Sequence, residues 1–213
     1  MACPRSGLIL AALLCLPLGS SRARAADGDA AAGLAKQALD LCVEGRKLTE
    51  RDARNRDFER GQKLAEQAVT LDDQSADAHF ALFCNMGELM RIDGESITSV
   101  FMLRRLMAEI DRTLELRPTH IDALAAKGTL LVRLPRLFGG DAEKGEAMLR
   151  EVAERDPNAL STRITLARTC GQRGDRDEAV AFAERALQIA RVQGRADKVA
   201  EAQAVLSELK AAE

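Results

Sequence analysis

Two histidines, His79 and His120, each sit among side chains that could do acid–base or nucleophilic chemistry, Ser75 and Asp77 near the first and Thr119 and Asp122 around the second. Histidine titrates near neutral pH, and a hydroxyl, an imidazole and a carboxylate can together form a hydrolytic triad. Such a triad needs groups from distant parts of a chain to converge on one centre, and these lie close together at what read as helix starts. Ser, Thr and Asp in those places are ordinarily caps, so the histidines are expected to pack on or between helices. The sequence has no HExxH, no paired CxxC and no glycine-rich nucleotide loop, which leaves metal and phosphate chemistry without a motif. Gly139-Gly140-Asp141 leads into a helix start, where backbone N–H groups could cradle an anion. Asp141 already offers those groups a carboxylate and would repel a phosphate, so the expectation is a turn with its own cap. The chain therefore reads as a non-enzyme without cofactor or metal.

The composition narrows the class further. The 213 residues are 46% hydrophobic and 30% charged, too apolar for a disordered tail and too charged for a protein of many membrane spans. Lys and Arg number 31 against 33 Asp and Glu, and there are six Phe with no Trp or Tyr. No basic field and few stacking platforms are available for nucleic acid. Residues 1–25 read as a secretory signal peptide: Arg5, an apolar run from Gly7 to Gly19, and Ala23-Arg24-Ala25 before Ala26. The run is too short, and too interrupted by Pro17, for a membrane span. Lipid attachment at Cys15 is disfavoured because bulky Leu14 precedes it. The mature chain, 26–213, is then expected in the periplasm or secreted, with a net charge of −5 rather than −2 and with Cys42, Cys84 and Cys170. Three cysteines in an oxidising compartment allow at most one internal disulfide.

The elements that position these groups are helical throughout. Apolar periodicity predicts helices over 30–47, 55–72, 76–92, 97–116, 120–134, 141–155, 158–173, 176–192 and 195–211, joined mostly by short turns. Ala179, Ala183, Ala186, Leu187 and Ala190 form one continuous stripe, and Asp175 with Glu178 offers a capping box at the start of that helix. Leu71-Asp72-Asp73, Leu116-Arg117-Pro118 and Arg155-Asp156-Pro157 each close a helix before a polar start of the next. Ten residues beyond each closing position stand Phe83, Gly128 and Ala167.

A small residue at the crossing of two helices and Pro after the second helix are features of the tetratricopeptide repeat, and the segment Asn158–Ala190 resembles that repeat most fully. The resemblance implies an all-α, right-handed α-solenoid of about four helical hairpins, units 30–73, 76–118, 120–157 and 158–191, with a capping helix at 195–211 carrying Val199, Ala202, Leu206 and Leu209. The closing positions Asp73, Pro118 and Pro157 are 45 and 39 residues apart, against a family period of 34. The excess falls around Asp93–Met102 and Leu134–Gly140. In this family the first helix of each repeat lines the concave face, which implies binding candidates Asp77 and Phe80, then Asp122, Thr129 and Arg133, then Ser161, Ile164 and Arg168. Arg133 and Arg168 would grip a carboxylate over an apolar floor of Phe80 and Ile164, although exposed arginines also simply solvate a helix. Cys42 and Cys84 fall on the first helices of neighbouring units, where either a disulfide or two free thiols is open; Cys170 reads as a buried, inert thiol.

The segment Leu134–Leu149, LPRLFGGDAEKGEAML, is also similar to the elongated repeat unit of the T component associated with TRAP transporters and of related secreted repeat proteins. That likeness implies a ligand-binding or accessory component that partners a periplasmic solute-binding protein. The function expected first is a secreted scaffold that binds a protein or peptide through its concave face, without nucleic acid and without a membrane span after signal cleavage.

Overall fold

The computed structural model describes residues 20–93 and 99–211. Most of the expected signal peptide and the centre of the first inserted stretch lie outside them. Nine α-helices occur among the described residues: α1 Ser20–Gly45, α2 Arg51–Leu71, α3 Ala76–Asp93, α4 Ser99–Leu116, α5 Ile121–Arg133, α6 Ala142–Arg155, α7 Leu160–Arg173, α8 Arg176–Val192 and α9 Ala196–Ala211. They form four antiparallel hairpins, α1–α2 to α7–α8, each stacked on the next, with α9 against the last.

The helices end where the turn chemistry says they should. Asp72 and Asp156 stand in extended conformation just past α2 and α6, and their N–H groups donate to Ala68 and Val152 carbonyls. Gly174, at φ 95°, ends α7 in the left-handed region, where Asp175 N–H donates back to the Cys170 carbonyl. Asp141 caps α6 by accepting from Lys144 N–H at 3.0 Å, as expected, and Ser75 Oγ accepts from Ala78 N–H at 3.3 Å. The capping box at Asp175 and Glu178 does not form. Asp175 accepts from Arg173 and Glu178 from Arg150, because charged guanidinium donors outcompete neutral amides for those carboxylates.

The core substitutes small side chains for the aromatics the chain lacks. Ala31, Ala35, Ala38 and Cys42 of α1, Ala65 and Ala68 of α2, and Ala78 and Ala81 of α3 are buried and bring these helices close together. Ala167, Ala183, Ala186 and Ala190 do the same in the last hairpin, where Leu160, Ile164, Val205 and Leu206 fill the remaining space. Gly128, at its expected position, meets Gly145 where α5 and α6 cross. A Cβ on Gly145 would lie 2.8 Å from the Gly128 carbonyl oxygen. Phe83 breaks the small-residue expectation: it is half-buried against the N-terminal core and stacks on Phe80, ring centres 6.0 Å apart.

The extra residues of the long units also have a place. The second unit lengthens its first helix to 18 residues, against 14 for α7, and adds the stretch before α4. The third keeps short helices and puts its excess into the α5–α6 connection, which contains a 3-10 turn at Arg136–Phe138.

Candidate binding face

The histidines are structural. His79 is buried, with Nδ1 2.7 Å from Glu109 Oε2 on α4 and Nε2 3.1 Å from the Asp73 carbonyl oxygen. Acceptors on both ring nitrogens favour the imidazolium, and the Glu109 hydrogen bond above all raises its pKa above the ordinary value, burial and Arg112 opposing. His120 caps α5, Nδ1 accepting from Ala123 N–H at 3.3 Å, and its ring tilts against Phe80 at 4.6 Å between centres. Burial lowers its pKa, which agrees with a nitrogen that must stay unprotonated to accept.

Opposite signs for stability follow. A raised folded pKa stabilises fully below the ordinary value of about 6.5 and is lost as pH rises through the folded value. For His79 we expect His79→Gln to cost about 1.5–3 kcal/mol at pH 5.5, the worth of hydrogen bonds to a charged group, and progressively less toward pH 8.5. Urea midpoints of variant and parent across that range check it. A gap that widens with pH would show that His79 is held neutral.

Among the residues proposed for the concave face, the structure sorts those already engaged from those left open. Asp77 takes a bidentate bridge from Arg117, at 2.7 and 2.9 Å, which keeps its carboxyl below the usual range. Together with the Phe80–His120 contact it joins the second hairpin to the third, where α3 and α5 do not pack along each other. Ile164 is a correction: it is 2% exposed and belongs to the last core cluster, because α9 packs beside α7 and covers it. Arg168 is reached by the same helix and pairs with Glu201 at 3.1 Å. Asp122 and Ser161 are exposed, and Thr129 is half-buried with its hydroxyl donating to the Ala125 carbonyl at 2.7 Å.

Arg133 remains. It is exposed at the end of α5, has no ion-pair or hydrogen-bond partner among the described residues, and follows Ala125 and Thr129 at four-residue intervals on one helix face. Thr165 and Thr169 on α7 also donate their hydroxyls to their own helix. The hydroxyl oxygens of Thr129, Thr165 and Thr169 can each still accept, and Arg133 stands as an unengaged cation at the end of α5.

Sequence reasoning missed a second charged cluster, where no motif signals it. Arg150 of α6 bridges Glu146 and Glu178, and Arg173 adds a contact to Glu146 and one to Asp175. Glu178 is held down to about 2, chiefly by its hydrogen bond from Arg150. Cys170 is fully buried beside it, as expected, with burial first among the causes that push its thiol up to about 11. Ligand atoms of Glu146, Cys170 and Glu178 lie within 4.8 Å of one another. The Arg150 guanidinium occupies their common space, so the cluster is an ionic joint between hairpins and does not fit a metal ion.

Cys42 and Cys84 form a disulfide between α1 and α3, their Cα atoms 6.2 Å apart. No helix among the described residues is long and apolar enough to cross a membrane.

No protein-family model matches the sequence, and a comparison with curated proteins gives no match. Among solved structures, a thermophilic TPR protein of Thermus thermophilus, TTC0263, aligns over 81% of this chain and 98% of its own, with 18% identity and a TM-score of 0.55. MamA from Desulfovibrio magneticus RS-1 aligns over 82% of this chain and 97% of its own, at 13% identity and 0.48. Yeast Tom70 aligns over 89% of this chain but 42% of its own, at 18% and 0.43. The protein is an all-α solenoid of stacked helical hairpins. Its fold is that of the tetratricopeptide repeat, as the likeness to TTC0263 shows.

Proposed function

We propose that the protein is a non-catalytic scaffold of the cell envelope that holds a peptide or protein segment bearing a carboxylate along α5 and α7. The observation that carries this reading is Arg133, an exposed and unengaged guanidinium on the same helix face as Ala125 and Thr129. A guanidinium binds a carboxylate through two parallel hydrogen bonds, and the Ala125–Thr129 surface lets a partner backbone come close. Threonine oxygens that have already donated their protons accept from partner N–H groups. Among folded envelope partners, the likeness of Leu134–Leu149 to the transporter-associated repeat suggests a periplasmic solute-binding protein, which co-purification would test.

Envelope location is supported by one feature: a structural disulfide suits an oxidising compartment.

The test is a peptide-display selection against the chain from Ala26. Selected peptides are expected to carry an acidic residue or a free C-terminal carboxylate. Arg133→Ala should weaken them about tenfold or more, the worth of a charge-assisted pair, and Arg168→Ala, whose arginine is already paired, less than about threefold. Equal affinity for the Arg133→Ala variant would overturn the reading.

A further inference from the structure

The large hydrophobic residues described as exposed are not scattered. Val43, Leu48, Phe101, Leu137 and Phe138 lie at or beside the connections within hairpins, and only Leu71 and Val192 lie at the opposite ends. In a stack of antiparallel hairpins those connections share one edge. The α5–α6 connection is the most prominent, with Leu137 88% exposed and Phe138 44%, and Phe101 at the start of α4, on the neighbouring tip, is 75% exposed.

This connection is a built projection. Phe138 and Gly140 N–H both donate to the Pro135 carbonyl, at 2.9 and 3.1 Å, Gly139 N–H to Arg136 at 3.1 Å, and Asp141 N–H to Leu131 at 3.0 Å. Gly139 adopts φ 88°, and a Cβ on Gly140 would lie 1.7 Å from the Leu134 carbonyl oxygen. The backbone is thereby locked with its Leu-Phe pair pointed outward, so docking costs little ordering entropy. Arg104, Arg136 and Lys144 border the same edge without ion-pair partners among the described residues. Of the nearby acids, Asp141 is engaged as the α6 cap and Glu143 is exposed.

We propose that this edge is a docking surface for an anionic lipid bilayer, with Leu137, Phe138 and Phe101 entering the interfacial layer and Arg104, Arg136 and Lys144 meeting lipid phosphates. Apolar tips with a collar of cations fit a surface that is negative outside and apolar beneath. A convex projection inserts into a yielding medium, which favours a bilayer over a preformed protein groove. The proposal uses neither Arg133 nor the α5–α7 face, so it stands or falls independently of the scaffold reading.

The test is sedimentation of the chain from Ala26 with vesicles of phosphatidylglycerol and phosphatidylcholine at 1:1, and of phosphatidylcholine alone. Binding is expected to the anionic vesicles and at least about fivefold weaker to the neutral ones, and to weaken with added salt. Leu137→Ser/Phe138→Ser should lower partitioning about tenfold or more, with circular dichroism and melting unchanged because both side chains are exposed. Phe101→Ser should lower it separately. Failure of the parent protein to sediment with anionic vesicles at low salt, or undiminished sedimentation of the double variant, would overturn the proposal. So would self-association in the absence of vesicles that the double variant abolishes, since the edge would then be a contact between copies.

Discussion

Replacing Cys42 and Cys84 together by alanine will lower stability by about 4 kcal/mol, and the melting temperature by roughly 10 °C. The bridge closes a loop with a sequence separation of 42, and the chain-entropy treatment of such a loop gives about that free energy. Its position adds to the effect. It ties α1 to α3, so it staples the first described hairpin, which among the described residues has a neighbouring hairpin on one side. Both cysteines are buried in a core rich in alanine, and alanine at both sites avoids burying a hydroxyl. Thermal melts with and without reductant check it: reductant should destabilise the parent and leave the double variant unmoved. Thiol counting under denaturing, non-reducing conditions should find one thiol in the chain from Ala26, Cys170. A melting temperature unaffected by reductant would remove the bridge from the account of stability.

Gly145→Val is expected to cost about 3 kcal/mol or more. Its Cβ would meet the Gly128 carbonyl oxygen at 2.8 Å, Val132 Cγ1 at 2.8 Å and Leu131 Cβ at 2.9 Å. Two of those three atoms belong to or adjoin the backbone and cannot turn aside, so α5 and α6 must separate, and the tight crossing is lost along with its neighbouring contacts. A branched side chain adds further crowding in a helix. Gly33→Ala is the control, since nothing lies within 4 Å of a Cβ there. In mid-helix it should stabilise by about 0.5–1 kcal/mol. Urea midpoints of the two variants therefore move in opposite directions, and a Gly145→Val protein as stable as its parent would mean that the two helices have room to spare.

The two effects bear differently on what could be read in advance. Gly128 was identifiable as a crossing residue because the repeat spacing marks it, but its counterpart Gly145 carries no such mark. The bond between Cys42 and Cys84 was one of two open outcomes, since helix register to within a few ångströms decides whether two sulfurs meet. Their repeat positions place Ile164 and Arg168 on the open face. They are engaged because α9 stands where the next repeat's first helix would, covering one and pairing with the other through Glu201. Asp77 is likewise held by Arg117, forty residues away in sequence.

Helix number, most helix ends and the hairpin order follow from local information: the apolar period, the caps Ser75 and Asp141, the aspartates and Gly174 that stop helices; the starts of α1 and α2, ten and four residues earlier than the periodicity predicts, do not. These interactions span a few residues and so are written in the sequence alone. Which arginines stay unpaired, which thiols join and which apolar side chains face water depend on how helices thirty or forty residues apart are placed side by side. Only the tertiary structure decides that, because an ion pair or a disulfide forms or fails over a few ångströms. The repeat resemblance offers Arg133 and Arg168 alike as carboxylate grips; they differ in that Arg168 meets Glu201, whereas Arg133 has no carboxylate partner among the described residues.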